Sequence, residues 1–322
     1  MSSITANASA SSAEVNLQVE PRAAPKTLRC AVVTGGNRGI GLEICRQLAS
    51  NNILVVLTAR DEKRGNEAVD FLKKLGFSNV VFHQLDIKDP TSISSLANFI
   101  KNQFGKLDIL VNNAGDFGVI IDPENFRAKG GFDFILDFEN AEKAMEIMEQ
   151  PYYKAEECLK INYYGMKNVT EALLPLLQLS NSARIVNISS VYGLLRYLYN
   201  EKVRAQLTDI DSLTEEYLDD LLQCFLKDFK EDMLESNGWP IPISAYKMSH
   251  VTINAYTRIL ARKFSKLQIN CVDPGYVKTD LTCKMGDLTP EEGARAPVMV
   301  ALLPDDSPTG SYFDRMEISS FY

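Results

Sequence analysis

The chain has 322 residues, 45% hydrophobic and 24% charged, with a formal net charge of −8. That length allows a sizeable core in one large or two modest domains, and an acidic balance without a long basic run argues against nucleic acid or an anionic membrane surface as the main partner. No apolar run approaches the roughly 20 residues that span a bilayer, and two histidines with six scattered cysteines offer no metal-ligand spacing, so the thiols read as buried and free in a reducing compartment, the cytoplasm.

Residues 1–27 are rich in Ser and Ala, lack periodicity and read as a disordered tail. Glu14 and Glu20 precede the first base, Arg22, which suits a plastid transit peptide poorly. From Leu28 short apolar runs alternate with amphipathic segments. RCAVVTG predicts a strand, and the Gly-rich turn after it opens a helix through Gln47. ILVVLTA is the second strand and Lys63 to Leu75 the second helix; VVFHQLD is the third strand, Ser92 to Phe104 a helix, and LDILVNN the fourth strand. This alternation predicts an α/β fold, a doubly wound parallel sheet of Rossmann type with helices on both faces. Regularity lapses from Asp116 to about Pro151, then returns as a long helix from Tyr153 to Leu177 and the strand ARIVNISS. A second irregular stretch, Leu194 to Pro242, holds a helical pattern from Thr214 to Leu234. The SAYKMSH helix, the strand LQINCVDPG, a helix from Glu291 to Leu302 and the small strand GSYF complete the chain. With no repeat and no linker, residues 28–322 read as one domain carrying two lid insertions, about 116–151 and 194–242.

The first turn is Thr34-Gly35-Gly36-Asn37-Arg38-Gly39-Ile40-Gly41. Gly35 permits the tight turn, Gly39 lets backbone approach a pyrophosphate, and Gly41 lets the helix pack close on the strand. The phosphates then rest on unpaired N–H groups at the helix start. Asn37 and Ile40 complete the expected dinucleotide loop. The second strand ends LTARD, so Arg60 stands where an acidic residue would select NAD, and Asp61 comes one residue later. Arg38 is a second cation. Two guanidiniums around one 2′-phosphate favour NADPH. Asp86, ending the third strand, can accept from an adenine amino group, or cap the following helix. Asn113 and Gly115 of NNAG supply an amide and a close-approach glycine beside the adenosine.

TGGNRGIG, NNAG, NISS, a tyrosine helix and PGYVKT, in this order, resemble the short-chain dehydrogenase/reductase family. VVLTARDEKRG, FGKLDILVNNAG, ECLKINYYG and NAYTRILARK are similar to its plant carbonyl-reductase-like branch. The resemblance implies NADPH-dependent reduction of a ketone, or in some members an enone, on a hydrophobic terpenoid or alkaloid such as menthone or salutaridine. It also implies roles. Tyr246 matches the proton donor, Ser190 the hydroxyl that binds the substrate carbonyl, and Asn162 the asparagine that holds a water in the proton relay. Thr279 matches the hydroxyl that binds the nicotinamide carboxamide, with Pro274, Gly275 and Val277 as neighbouring cofactor contacts.

The chemistry is independent of the name. Hydride addition to a ketone carbon creates an alkoxide; donors aimed at that oxygen stabilise it, and a phenol then supplies the proton. The departure is His250, four residues after Tyr246, where the family has a lysine. A lysine grips the nicotinamide ribose and lowers the tyrosine pKa; histidine, near pKa 6.5, is mostly neutral at pH 7. Lys247 cannot replace it, being about 100° away around the helix. Three readings stay open: a working but poorer substitute, a cofactor-binding relic without turnover, or a shift to conjugate reduction. Asp273 and Asp116 also differ from the family's usual uncharged residues and read as solvated loop carboxylates. The 55 residues between Ser190 and Tyr246, 191 to 245, exceed the compact family pattern. This insertion should cover the face used elsewhere for dimer packing and leave a monomer. The earlier insertion offers Phe117, Val119, Ile120, Phe126, Phe132 and Phe134 as an apolar wall for a bulky ketone.

Overall fold

A computed structural model describes residues 28–130 and 147–322; the 1–27 segment, Phe132 and Phe134 lie outside the described residues. β1 (Cys30–Val33) shows how a short apolar run makes a sheet covered on both faces. Cys30 and Val32 enter one core and Ala31 and Val33 the other, as a side-chain period of two requires. There follow α1 (Gly39–Ser50), β2 (Leu54–Ala59), α2 (Glu62–Lys74), β3 (Val80–Gln84), α3 (Pro90–Phe104) and β4 (Ile109–Asn112). Asp61 caps α2 by accepting from Arg64 N at 2.9 Å, and Asp89 caps α3 by accepting from Thr91 N at 2.9 Å; Asp86 is therefore not the cap of α3. It instead accepts from Lys88 N at 3.0 Å, fixing the turn that ends β3.

The region expected to be irregular holds β5 (Ile120–Ile121), α4 (Pro123–Ala128) and β6 (Met148–Glu149), with β5 and β6 paired antiparallel. The long helix expected from Tyr153 to Leu177 is divided: α5 (Tyr152–Leu159), a π-helical turn over Lys160–Gly165, and α6 (Met166–Leu177). Hydrophobic spacing does not distinguish a π turn from a continuous helix, and such turns concentrate at functional sites. β7 (Arg184–Ile188) leads into the second insertion, with α7 (Glu201–Thr208) and α8 (Glu215–Lys230). Then come α9 (Ser244–Lys263), β8 (Gln268–Asp273), α10 (Pro290–Ala301), β9 (Tyr312–Asp314) and β10 (Glu317–Ser319). β10 was not expected: three exposed residues carry too little alternation to register as a strand.

The sheet order is β3-β2-β1-β4-β7-β8-β9-β10, parallel except for the β9–β10 pair. Chain order reverses between β1 and β4, the crevice where open α/β sheets bind ligands. Ile44 of α1, Leu72 of α2 and Val298 of α10 fill the core on one face. Leu96 of α3, Leu173 of α6 and Ile259 of α9 fill the other. Insertion helix α8 joins this second core through Leu218, Leu222 and Phe225. Each such burial contributes roughly 1.5–3 kcal/mol before entropy is subtracted. Among the described residues, no helix is long and apolar enough to cross a membrane. Of the six cysteines, all free, Cys30, Cys45, Cys158 and Cys271 are buried as expected, but Cys224 is exposed and Cys283 half-buried.

Candidate active site

A cavity of about 430 Å³ opens at the carboxyl ends of β1, β4, β7 and β8. Gly35, Asn37, Arg38, Gly39, Ile40, Gly41, Arg60, Asp86, Asn113, Gly115, Asn162, Ser190, Tyr246, His250, Pro274, Gly275, Val277 and Thr279 all line it. Residues spread over more than 240 positions thus meet in one place. Gly35 has φ +65 and Gly39 has φ +55, a left-handed backbone that other residues rarely adopt. At Gly41 a Cβ would lie 2.3 Å from the Gly35 carbonyl oxygen, so only glycine allows this approach of α1 to the loop. Asn113 locks the loop to β4, donating to Thr34 O at 2.9 Å and Gly35 O at 3.2 Å.

The start of α1 suits a dinucleotide. Arg38 at its N-cap makes no side-chain cap bond, and its first turn has no acidic residue, whereas α2 and α3 are capped by aspartates. Gly39, Ile40 and Gly41 of this first turn line the cavity, and a helix start of this kind favours an anion through its N–H groups and dipole. The cations are arranged differently from the expectation. Arg38 pairs with Asp280 at 2.7 Å, and Asp280 also holds Lys284 at 2.5 Å. The glycine loop is therefore strapped to the loop after β8, and Arg60, exposed, makes no ion pair among the described residues. Asp280 and Lys284 were missed because their role depends on the β8 loop crossing to β1, which spacing alone does not reveal. Thr279 is set by Thr282, whose Oγ1 accepts from Thr279 N at 3.0 Å.

The other half of the cavity is more apolar. Ser190 is 8% exposed at the end of β7, where its Oγ accepts from Tyr192 N at 3.3 Å. Tyr246, in the first turn of α9, lines the same cavity. Burial pushes the Tyr246 phenol well above its usual pKa; Ser190 opposes that shift and the Asp273 charge adds to it. His250 is 6% exposed, its ring 4.2 Å from the Tyr246 ring, and Nδ1 lies 2.9 Å from Tyr246 O. Burial lowers its pKa to about 4, so the imidazole is neutral near pH 7. Lys247 points away, as its helical position predicts: Nζ donates to Ile241 O at 3.1 Å and lies over the Tyr192 and Tyr197 rings.

Asn162 sits in the π turn with both amide ends engaged. It accepts from Asp116 N at 2.7 Å and donates to Asp116 O at 2.9 Å and Ser249 Oγ at 3.0 Å. Asp116 in turn accepts from Gly118 N at 2.8 Å. Asp273 corrects the reading of a solvated carboxylate: it is 8% exposed and bonded to two loops. The apolar wall is also redrawn. Phe117 packs edge-on to Tyr246 at 5.0 Å, but Phe126 is fully buried in a cluster with Ile147, Met148, Tyr192 and Ile243, and Ile120 is exposed. Tyr276, Leu281 and Met285 of the β8–α10 loop pack against the same cluster.

The profile of the short chain dehydrogenases matches residues 29–201. Salutaridine reductase from Papaver bracteatum is 54% identical over 94% of this chain and all of its own. (+)-Neomenthol dehydrogenase from Arabidopsis thaliana is 51% identical over 92% of this chain and all of its own. The solved structure of salutaridine reductase from Papaver somniferum superposes with a TM-score of 0.83 at 53% identity, over 89% of this chain and 99% of that one. A crevice at the β1–β4 switch point, lined by both Ser190 and Tyr246, and likeness along nearly the whole sequence lead to one conclusion: the chain is an oxidoreductase that belongs to the short-chain dehydrogenase family.

Proposed function

We propose that this protein is an NADPH-dependent reductase of a ketone on a hydrophobic alkaloid or terpenoid, of the kind that salutaridine reductase and neomenthol dehydrogenase are named for. The observation that carries the reading is that Ser190 and Tyr246 line one cavity with the first turn of α1, whose N-cap makes no side-chain cap bond. When bound, the reduced nicotinamide supplies the hydride. Gly39, Ile40 and Gly41 would hold the pyrophosphate, Arg60 a 2′-phosphate, and Thr279 the carboxamide. Ser190 and Tyr246 donate hydrogen bonds to the substrate oxygen as negative charge develops there. Tyr246 then gives up its proton as the general acid. Its raised pKa keeps the phenol protonated and ready to donate, although it makes a weaker acid than one beside a lysine cation. Asn162 positions the Asp116 loop against α9 rather than contacting substrate. The aromatic and aliphatic cluster beside Tyr246 favours a bulky apolar ketone over a sugar.

A second reading rests on His250. With no cation at that position, the protein would bind the dinucleotide without turning over. A panel separates the two: purified protein with NADPH is offered salutaridine, menthone and a cyclic enone while nicotinamide absorbance is followed. Consumption with either ketone supports the proposal; consumption with the enone alone replaces it by conjugate reduction; binding without consumption supports the second reading. Cofactor choice has its own measurement. Arg60→Ala should weaken NADPH binding about 10- to 100-fold, the worth of a charge-assisted contact, and leave NADH binding unchanged in a fluorescence titration. Equal effects on both dinucleotides would remove Arg60 from that role.

A further inference from the structure

Asp273 has no part in the mechanism above, yet it lines the site and both of its carboxylate oxygens are engaged. It ends β8 and is 8% exposed. Its Oδ2 accepts from Val191 N at 3.1 Å and its Oδ1 accepts from Gly275 N at 3.0 Å. Val191 follows Ser190 directly, and Gly275 belongs to the loop expected to lie along the dinucleotide. One side chain thus ties the strand end that carries the substrate hydroxyl to the loop that would hold the cofactor. We infer that Asp273 is a positioning residue for Ser190: its ionised carboxylate fixes the β7 and β8 loops at the separation that aims the serine at the reacting oxygen. The inference rests on Ser190 having the role proposed above.

The charge state matters because both bonds are accepted ones. A protonated carboxyl keeps one good acceptor, while its hydroxyl oxygen is a much poorer one, so one of the two ties weakens. The ionisable groups facing Asp273 are Tyr246 from α9, Tyr312 and Asp314 from β9, and Arg315 after β9. Burial is the largest influence and, with Asp314, raises its pKa to about 6 despite the two N–H bonds and Arg315. Because this folded value lies above the ordinary 3.8, the contribution to stability is present at low pH and is lost as pH rises through about 6. Ionisation therefore weakens the fold while tightening the site, and the two effects can be measured separately.

The test uses full-length Asp273→Asn and Val191→Pro. The second leaves the carboxylate intact and removes the N–H it binds. Ser190 is extended at φ −154 and ψ 155, which a following proline accepts, and Val191 opens a short helix where proline is tolerated. Turnover with NADPH should fall about 10- to 100-fold in both, as for a small misplacement of a reacting group, with NADPH affinity by fluorescence within about threefold of wild type. Wild-type kcat should drop as pH falls through about 6, and that limb should vanish in Asp273→Asn. Without ligand, the melting temperature of wild type relative to Asp273→Asn should decline between pH 4 and pH 6.5. Wild-type turnover in both variants, or an unchanged acid limb in Asp273→Asn, overturns the inference. Ser190→Ala serves as the control: full activity in that variant would defeat the role of Ser190 itself, whereas its inactivity beside intact Asp273→Asn and Val191→Pro defeats only the assignment of Asp273.

Discussion

At the scale of single residues, the site turns on what faces Tyr246. A neutral imidazole and an edge-on Phe117 pack against its ring, and the Ser190 side chain lines the same cavity. Tyr246→Phe should lower ketone reduction about 100- to 10,000-fold, the usual contribution of a positioned acid, with NADPH binding retained in a fluorescence titration; loss of binding in that variant would make the phenol a structural group. His250 gives a prediction with a sign. Its folded pKa, about 4, is depressed from 6.5 by burial, so its contribution to stability is fully present above pH 6.5 and is lost as pH falls through about 4. Thermal unfolding of His250→Gln should decline less steeply than wild type across that interval, and parallel curves would mean the ring is not desolvated as described. Lys247 is 4% exposed, with its pKa lowered by burial to about 8. Its contribution is present above 10.5 and is lost as pH falls through about 8, so Lys247→Met should be more stable to unfolding at pH 7, by up to about 3 kcal/mol, with the gap closing toward pH 10.5. A gap that persists there would place the benefit in packing rather than charge. That Tyr246, Ser190 and His250 would come together in one cavity was legible because each occupies a fixed offset in a short motif. The engagement of Arg38 by Asp280 and the burial of Asp273 were not, since both depend on which loops the sheet order brings together.

Among the elements, α1 and α9 were the most readable. Glycines at 35, 39 and 41 can only mean close approach when a strand precedes and a helix follows, and the Cβ test at Gly41 gives the reason in distance. Gly41→Ala should reduce NADPH binding below detection by fluorescence and destabilise the protein by about 1–3 kcal/mol, the cost of overpacking; unimpaired binding would show that α1 can retreat from the loop. Element boundaries were less legible. The π turn at Lys160–Gly165 leaves hydrophobic spacing intact, and α7 and the paired strands β5 and β6 are too short for periodicity to register. α8 was visible because Leu218, Leu221, Leu222, Phe225 and Leu226 repeat at helical spacing after the Thr214 cap. What the pattern could not supply was its docking: Lys167 meets Asp219 at 2.9 Å and Lys263 meets Glu215 at 3.1 Å across the interface with α6 and α9.

For the molecule as a whole, a doubly wound sheet divides the labour. The half built from β1 to β4 prepares an anion site, and the half from β7 to β9 presents hydroxyls and an apolar wall. The first insertion reaches Tyr246, where Phe117 and Met148 join Tyr192 and Ile243, the residues that flank the second. The expectation of a monomer follows from α7 and α8 lying over the helical face of α9, and sedimentation of the full chain at micromolar concentration would test it. The central claim is that Ser190 and Tyr246 reduce a ketone with hydride from NADPH. Its most direct measurement is the yield of alcohol, identified by mass, from salutaridine or menthone incubated with NADPH and either wild-type protein or Tyr246→Phe. The account predicts alcohol in step with NADPH consumption for wild type and at least about 100-fold less for the variant. Equal yields from the two proteins, or NADPH bound by wild type with no alcohol formed from either ketone, would contradict it.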